Sequence, residues 1–247
     1  IMSVSITLPP KSYTGWGSLS YLVDVVKSFS GKRIIVISDP FLVDIGLTNR
    51  ISVPLEEAGY IVDIYKDVLP EPPLEYAERL VSYIREKNFD LVIGVGGGSA
   101  LDLAKLASVL SVHEGDVADY LNLTGTKMIF QKGLPSILVP TTSGTGSEVT
   151  NISVLSLENT KDVVTHDYLL ADVAIVDPEL TLTLPSKITA STGIDALTHA
   201  IEAYVSKFAN PVTDALALQA IRLISNSIRK AVNNGEDVQS RIDLSYG

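Results

Sequence analysis

The chain has 247 residues, a formal net charge of −10, three histidines and no cysteine, with 46% hydrophobic and 19% charged residues, enough for one large domain or a domain and a half around a buried core. The acidic balance argues against nucleic-acid and membrane-surface partners, no apolar run approaches the ~18 residues of a membrane span, and no signal-peptide pattern opens the chain. Without cysteine there are no disulfides and no thiolate metal sites, which agrees with a cytoplasmic location.

From Lys32 onward, strand and helix signals alternate. "RIIVIS" (33–38) is a continuous apolar run, expected of a strand buried on both faces. "NRISVPLEEAG" (49–59) reads as a short helix closed by Gly59, "YIVDIY" (60–65) as a strand, and "LEYAERLVSYIREKN" (74–88) as an amphipathic helix after the break "PEPP". "LVIGV" (91–95) is a further buried strand, followed by a glycine cluster and the helix "SALDLAKLASVLS"; "SILVP" (136–140) and "VAIVDP" (173–178) add two more strands. This rhythm predicts an α/β fold: an N-terminal, mostly parallel sheet with helices on both faces. After Pro185 the rhythm stops, and two helices follow without a strand between them. The expected division is therefore 1–185 for the α/β domain and 186–247 for the beginning of an all-helical C-terminal domain. The second of these helices carries Leu216, Leu218, Ile221, Leu223, Ile224 and Ile228 around most of its circumference. Such a helix wants partners on several sides, so the helical part is expected to be incomplete.

"GVGGGSALDLAK" (94–105) lies between a strand and a helix, where exposed amides and a helix N-terminus can hold an anion. It misses the pattern G-x-G-x-x-G because Ser99 stands where the last glycine would be. A plain tight turn capped by Ser99 remains the alternative. Asp39, at the carboxyl end of a buried strand, suits a ribose hydroxyl and would repel a 2′-phosphate; a simple turn aspartate explains it equally well. "PTTSGTGSEVT" (140–150) also leaves a strand and offers hydroxyls and amides. Two such loops at one sheet edge favour a nucleotide site.

Asp195 and His199 stand four apart in "STGIDALTHAIEAY", so a helix puts carboxylate and imidazole on one face, where they can share a divalent metal such as Fe(II) or Zn(II). Two other readings stay open: Thr192-x-x-Asp195 as a capping box, and His199 as an ordinary half-buried histidine. His113 and His166 fall in expected surface turns and read as structural or incidental.

Together, "GGGSALDLAK", "PTTSGTGSEVT", "DPELTLTLP" and "TASTGIDALTHAIEAY" resemble the iron-containing (group III) alcohol dehydrogenase family, in its order and spacing over nearly the whole chain. The resemblance implies a dehydroquinate synthase-like architecture with a nucleotide-binding domain, a helical domain and an active site between them. It implies that Gly96, Gly97, Gly98 and Ser99 hold a diphosphate, that Asp39 reads the ribose and favours NAD over NADP, and that Thr141, Thr142, Thr145, Ser147 and Val149 form a second cofactor loop. Lys161 matches a lysine near the nicotinamide and is the candidate catalytic residue; Leu180 matches a residue packing on the cofactor. Asp195 and His199 match two of four metal ligands, with Fe(II) expected ahead of Zn(II), and two further histidines are expected beyond Gly247. The implied activity is hydride transfer between NAD(H) and a small alcohol or aldehyde, in a homodimer or larger homo-oligomer. A non-catalytic NAD-binding fragment and a zinc glycerol-type dehydrogenase are the alternatives.

Overall fold

The apolar runs become the interior of a six-stranded sheet in a computed structural model that describes residues 5–247. Its strands are β1 (Lys11–Thr14), β2 (Arg33–Ile37), β3 (Ile61–Tyr65), β4 (Leu91–Gly96), β5 (Ser136–Pro140) and, after the hairpin described below, β8 (Val173–Val176). The spatial order is β1-β8-β5-β4-β2-β3, and every pairing is parallel. All residues of β4 and β5 are buried, as expected for strands covered on both faces by helices.

The helices α1 (Leu22–Lys27), α2 (Pro40–Asp44), α3 (Asn49–Glu57), α4 (Leu74–Lys87) and α5 (Gly98–Leu110) divide between the two faces. One core layer joins Ile35, Ile37, Val92 and Leu138 to Leu80, Ile84, Leu101 and Leu106 of α4 and α5. The other joins Ile34, Val36, Ile93 and Val139 to Val25, Val26, Ile51 and Leu55 of α1 and α3. The alternation within β2 (Ile34 and Val36 one way, Ile35 and Ile37 the other) is the period of a strand between two layers.

Several features were not visible in the apolar pattern. β1 is a four-residue, largely exposed edge strand. Helix α2 is only five residues long. Strands β6 (Ile152–Ser156) and β7 (Lys161–Thr165) form a separate antiparallel pair, with Ser153 facing Val164 and Leu155 facing Asp162 in register. At the far edge Asp177 is buried and accepts amide protons from Gly17 (2.9 Å), Leu19 (3.0 Å) and Glu179 (3.1 Å), so one carboxylate ties the start of the chain to the end of β8.

After Pro185 come α6 (Ser186–Val205), α7 (Pro211–Asn233) and α8 (Val238–Tyr246). They share a small core of Ala196, Ile224, Ala231 and Leu244. Buried Arg241 fastens α8 to its surroundings by donating to the Gly235 carbonyl (2.8 Å), Thr189 Oγ1 (2.8 Å) and the Leu184 carbonyl (3.4 Å). Ile194, Ile201, Val212, Leu216 and Leu218 on α6 and α7 are exposed.

Candidate functional site

The chain passes from β2 to β3 on one side and then crosses to β4 on the other, so the carboxyl ends of β2 and β4 flank a topological switch point, the usual place for a ligand in an open parallel sheet. Asp39 follows β2 and Gly96 closes β4. Gly96 has φ +149°, a conformation L side chains rarely adopt, and a Cβ built there would lie 2.9 Å from Ala100 Cβ and 3.6 Å from Asp39 Oδ2. Two residues 57 positions apart thus meet at one sheet edge. Asp39 also caps α2, with Oδ1 accepting the Leu42 amide proton at 3.0 Å and Pro40 at the first helical position. The turn-aspartate reading holds for Oδ1, while Oδ2 takes no part in that cap.

Helix α5 begins at Gly98, and its N-cap, Gly97, supplies no side chain. Ser99 is not the cap that a plain-turn reading requires: its Oγ accepts the Glu71 amide proton at 3.1 Å. The first amides of α5 are therefore left without a capping side chain, as an anion site needs. The Thr/Ser loop closes over this turn. Buried Thr141 donates its amide to the Gly96 carbonyl at 2.9 Å, and Cβ atoms on Gly97 and Gly98 would fall 3.4 Å from Thr142 Cγ2 and 2.8 Å from Thr145 Cγ2. Thr145 and Val149 are exposed, Thr142 is half-buried, and Ser147 is buried with its hydroxyl donating to Asp102 Oδ1 at 2.5 Å. The structure thus brings Asp39, Gly96, Gly97, Gly98, Ser99, Thr141, Thr142 and Thr145 together.

Two implied cofactor residues lie differently. Leu180 is 1% exposed and belongs to the core layer that contains Val139 and Ile175, with no open face. Lys161 starts β7 and pairs with Glu71 Oε1 at 2.7 Å; Glu71 is the residue whose amide holds Ser99.

Asp195 and His199 lie well inside α6, exposed on one face, with Oδ1 and Nε2 3.7 Å apart and side-chain exposures of 49% and 53%. The capping-box reading fails, because the helix begins nine residues before Asp195 and Thr192 Oγ1 instead donates to the Ile188 carbonyl at 2.9 Å. So does the half-buried reading of His199. The turn before the pair packs on the second loop, where a Cβ on Gly144 would lie 2.7 Å from Thr192 Cβ; next to it Ser143 Oγ and Ser245 Oγ are 3.0 Å apart. A carboxylate and an imidazole on one exposed helix face suit a divalent ion, but among the described residues no group of three or more His, Cys, Asp or Glu side chains could hold one. His113 sits in the turn after α5 as expected, but its side chain points inward. It is 3% exposed, its Nδ1 proton goes to the Val109 carbonyl (2.9 Å), Nε2 accepts from the Phe130 amide (3.2 Å), and its ring meets Tyr120 and Phe130 edge-on. This double use fixes the ring in place and marks His113 as structural. His166 is half-buried and caps a short turn by accepting the Tyr168 amide proton.

Lys105, the last residue of the glycine-cluster motif, is completely buried in α5. Burial pushes its pKa down, and the carboxylate of Asp102 beside it, at 3.0 Å, opposes that shift. The sequence held a signal: "LDLAKLASVL" is buried almost all round, so a lysine there has no solvated side to occupy.

The chain as a whole resembles known proteins. Residues 9–178 match the family described as iron-containing alcohol dehydrogenase, and residues 189–247 match the C-terminal part of the Fe-containing alcohol dehydrogenase family. The chain belongs to the iron-containing alcohol dehydrogenase family. It is 66% identical over its full 247 residues to long-chain-alcohol dehydrogenase 1 of Geobacillus thermodenitrificans, of which it covers 62%, and 37% identical over 241 residues to the NAD-dependent methanol dehydrogenase of Bacillus methanolicus, again covering 62% of the relative and 97% of this chain. Among solved structures it resembles a 1,3-propanediol oxidoreductase (TM-score 0.94, 36% identity, 99% of this chain and 64% of that one). It also resembles sulfoacetaldehyde reductase from Bifidobacterium kashiwanohense in complex with NAD+ (TM-score 0.89, 34% identity, 99% and 64%). The chain thus spans somewhat less than two thirds of the length of these relatives.

Proposed function

We propose that the protein is an NAD-dependent dehydrogenase that moves a hydride between NAD(H) and a small alcohol or aldehyde, with residues 1–185 as its cofactor domain and 186–247 as the start of its metal-binding domain. The observation that carries this reading is the meeting of Asp39, the uncapped start of α5 and the Thr141–Thr145 loop at the switch point of a parallel sheet. In it, amides of Gly97, Gly98 and Ser99 bind the diphosphate, and the Asp39 carboxylate accepts the ribose hydroxyls and repels a 2′-phosphate. Thr142 and Thr145 would orient the nicotinamide half, whose ring would supply or accept the hydride. Lys161, held by Glu71 beside Ser99, brings a cation to the same neighbourhood. Asp195 and His199 would supply two ligands of a divalent metal, Fe(II) before Zn(II), whose chemistry is Lewis-acid stabilisation of the substrate oxygen as it becomes alkoxide. The similarity to the Geobacillus long-chain-alcohol dehydrogenase and the Bacillus NAD-dependent methanol dehydrogenase, and the NAD+ complex of the reductase, support the assignment. A homodimer or larger homo-oligomer in the cytoplasm completes the reading; no helix among the described residues is long and apolar enough to cross a membrane.

Chelation tests it. Metal-stripped protein should still bind NAD+ in a calorimeter but oxidise alcohols at a small fraction of the metal-loaded rate, with Fe(II) or Zn(II) restoring turnover. Full-rate oxidation by stripped protein would contradict the metal role, and absence of NAD+ binding would contradict the cofactor site.

A further inference from the structure

Five oxygens surround the buried ammonium of Lys105. They are the carbonyls of Ser147 (3.0 Å), Thr150 (3.5 Å) and Ile152 (2.5 Å), Thr150 Oγ1 (3.1 Å) and Asp102 Oδ1 (3.0 Å). An ammonium has three protons, so five oxygens exceed what directed hydrogen bonds require. Carbonyls from consecutive turns converging with one carboxylate resemble the way backbone oxygens replace the hydration shell of a monovalent ion. The cage is also anchored. Asp102 Oδ1 accepts from Ser147 Oγ and Oδ2 from the Val154 amide, while Ser153 Oγ donates to the Asp102 carbonyl. Every group in it belongs either to α5, whose first turn is the glycine site, or to the segment 147–154 that continues the Thr/Ser loop into β6.

We propose that Lys105 is a tethered monovalent cation that holds the Thr/Ser loop in shape over the glycine turn, and that the cage left by removing it accepts a free ammonium or potassium ion. Removing the side chain leaves the Asp102 carboxylate and the inward carbonyls without their positive charge, a costly state in a buried site. A small cation that can shed its water relieves it; a bulky one cannot enter. Lys105 is a positioning residue here, with no contact to substrate or cofactor required. Its effect on the cofactor rests on the NAD reading above; the cage itself does not.

The test uses Lys105→Ala and Lys105→Met at constant ionic strength in ammonium, potassium or tetramethylammonium chloride. In tetramethylammonium, Lys105→Ala should melt lower than wild type by roughly 10 °C and bind NAD+ at least several-fold more weakly. Ammonium should restore both saturably, potassium should act in the same direction, and wild type should not respond. Lys105→Met fills the stem without charge, so it should remain weakened in every salt. If Lys105→Ala folds only in ammonium or potassium, the refolding yield carries the same reading. Equal behaviour of Lys105→Ala in all three salts, or wild-type melting and NAD+ affinity for Lys105→Met, would overturn the proposal. Failure of wild type to bind NAD+ would instead sink the cofactor reading while leaving cation-dependent melting of Lys105→Ala as the measure of the cage.

Discussion

The two carboxylate oxygens of Asp39 are placed differently. Oδ1 closes the start of α2, while Oδ2 stands beside Gly96 at the opening of the crevice. Asp39→Gly should therefore separate them, since glycine is a tolerated N-cap that costs only about a few tenths of a kcal/mol. Loss of one negative charge near a 2′-phosphate is worth about 1 kcal/mol at 4 Å in water. The ratio of kcat/KM for NADP to that for NAD should rise roughly fivefold or more, and an unchanged ratio would count against Asp39 as the ribose reader. Asp90 shows the opposite economy, with one oxygen shared. Its Oδ2 accepts the amide protons of Lys32 (2.7 Å) and Arg33 (2.8 Å), and these bonds hold its pKa below the ordinary 3.8. The folded pKa is depressed, so the stabilisation is complete above the ordinary value and is lost as pH falls through the depressed one. Urea midpoints should show Asp90→Asn less stable than wild type near neutrality, with the gap narrowing below pH 3.8. A gap that persists undiminished in stronger acid would contradict this.

Among the elements, β4 and α5 form the piece on which the site is built, and their closeness depends on a missing side chain. A Cβ on Gly94 would lie 2.6 Å from Ala104 Cβ and 2.8 Å from Leu138 Cδ2, with buried neighbours that have little room to retreat. Gly94→Ala should cost about 1–3 kcal/mol by overpacking, read as a lower denaturant midpoint at an unchanged slope. A variant as stable as wild type would mean that the strand and helix are less tightly seated than they look. The elements legible in the sequence were those with long apolar runs or helical periodicity: β2, β3, β4, β5, α3, α4 and α5 all appear within a residue or two of where the pattern puts them. Those it hid are short or polar. The edge strand "KSYT" has no apolar face, α2 is a single capped turn and a bit, and "ISVLS" with "KDVVT" alternates too briefly to stand out from loop.

For the whole molecule, the motifs single out the polar residues proposed for the nucleotide site, but only the sheet order shows why they meet. Asp39 and Gly96 are neighbours because β2 and β4 are adjacent strands, a fact of topology that local pattern does not carry. Burial was harder still to foresee. "SVHEGD" looked like a surface turn, yet His113 is clasped between the Val109 carbonyl, the Phe130 amide and two aromatic rings. Leu180 turned inward to the core, and Lys105 became the most buried charge beside the site. The Asp195/His199 pair was legible because a four-residue helical spacing is a local property. The central claim, that this crevice presents nicotinamide to an alcohol carbon, is tested most directly by isotope transfer. Metal-loaded protein given a primary alcohol deuterated at its hydroxyl-bearing carbon, with unlabelled NAD+, should yield NADH carrying deuterium at C4 of the nicotinamide and none in the solvent. Aldehyde formed with the label released to water, or no labelled NADH from any alcohol in a series of chain lengths, would contradict it.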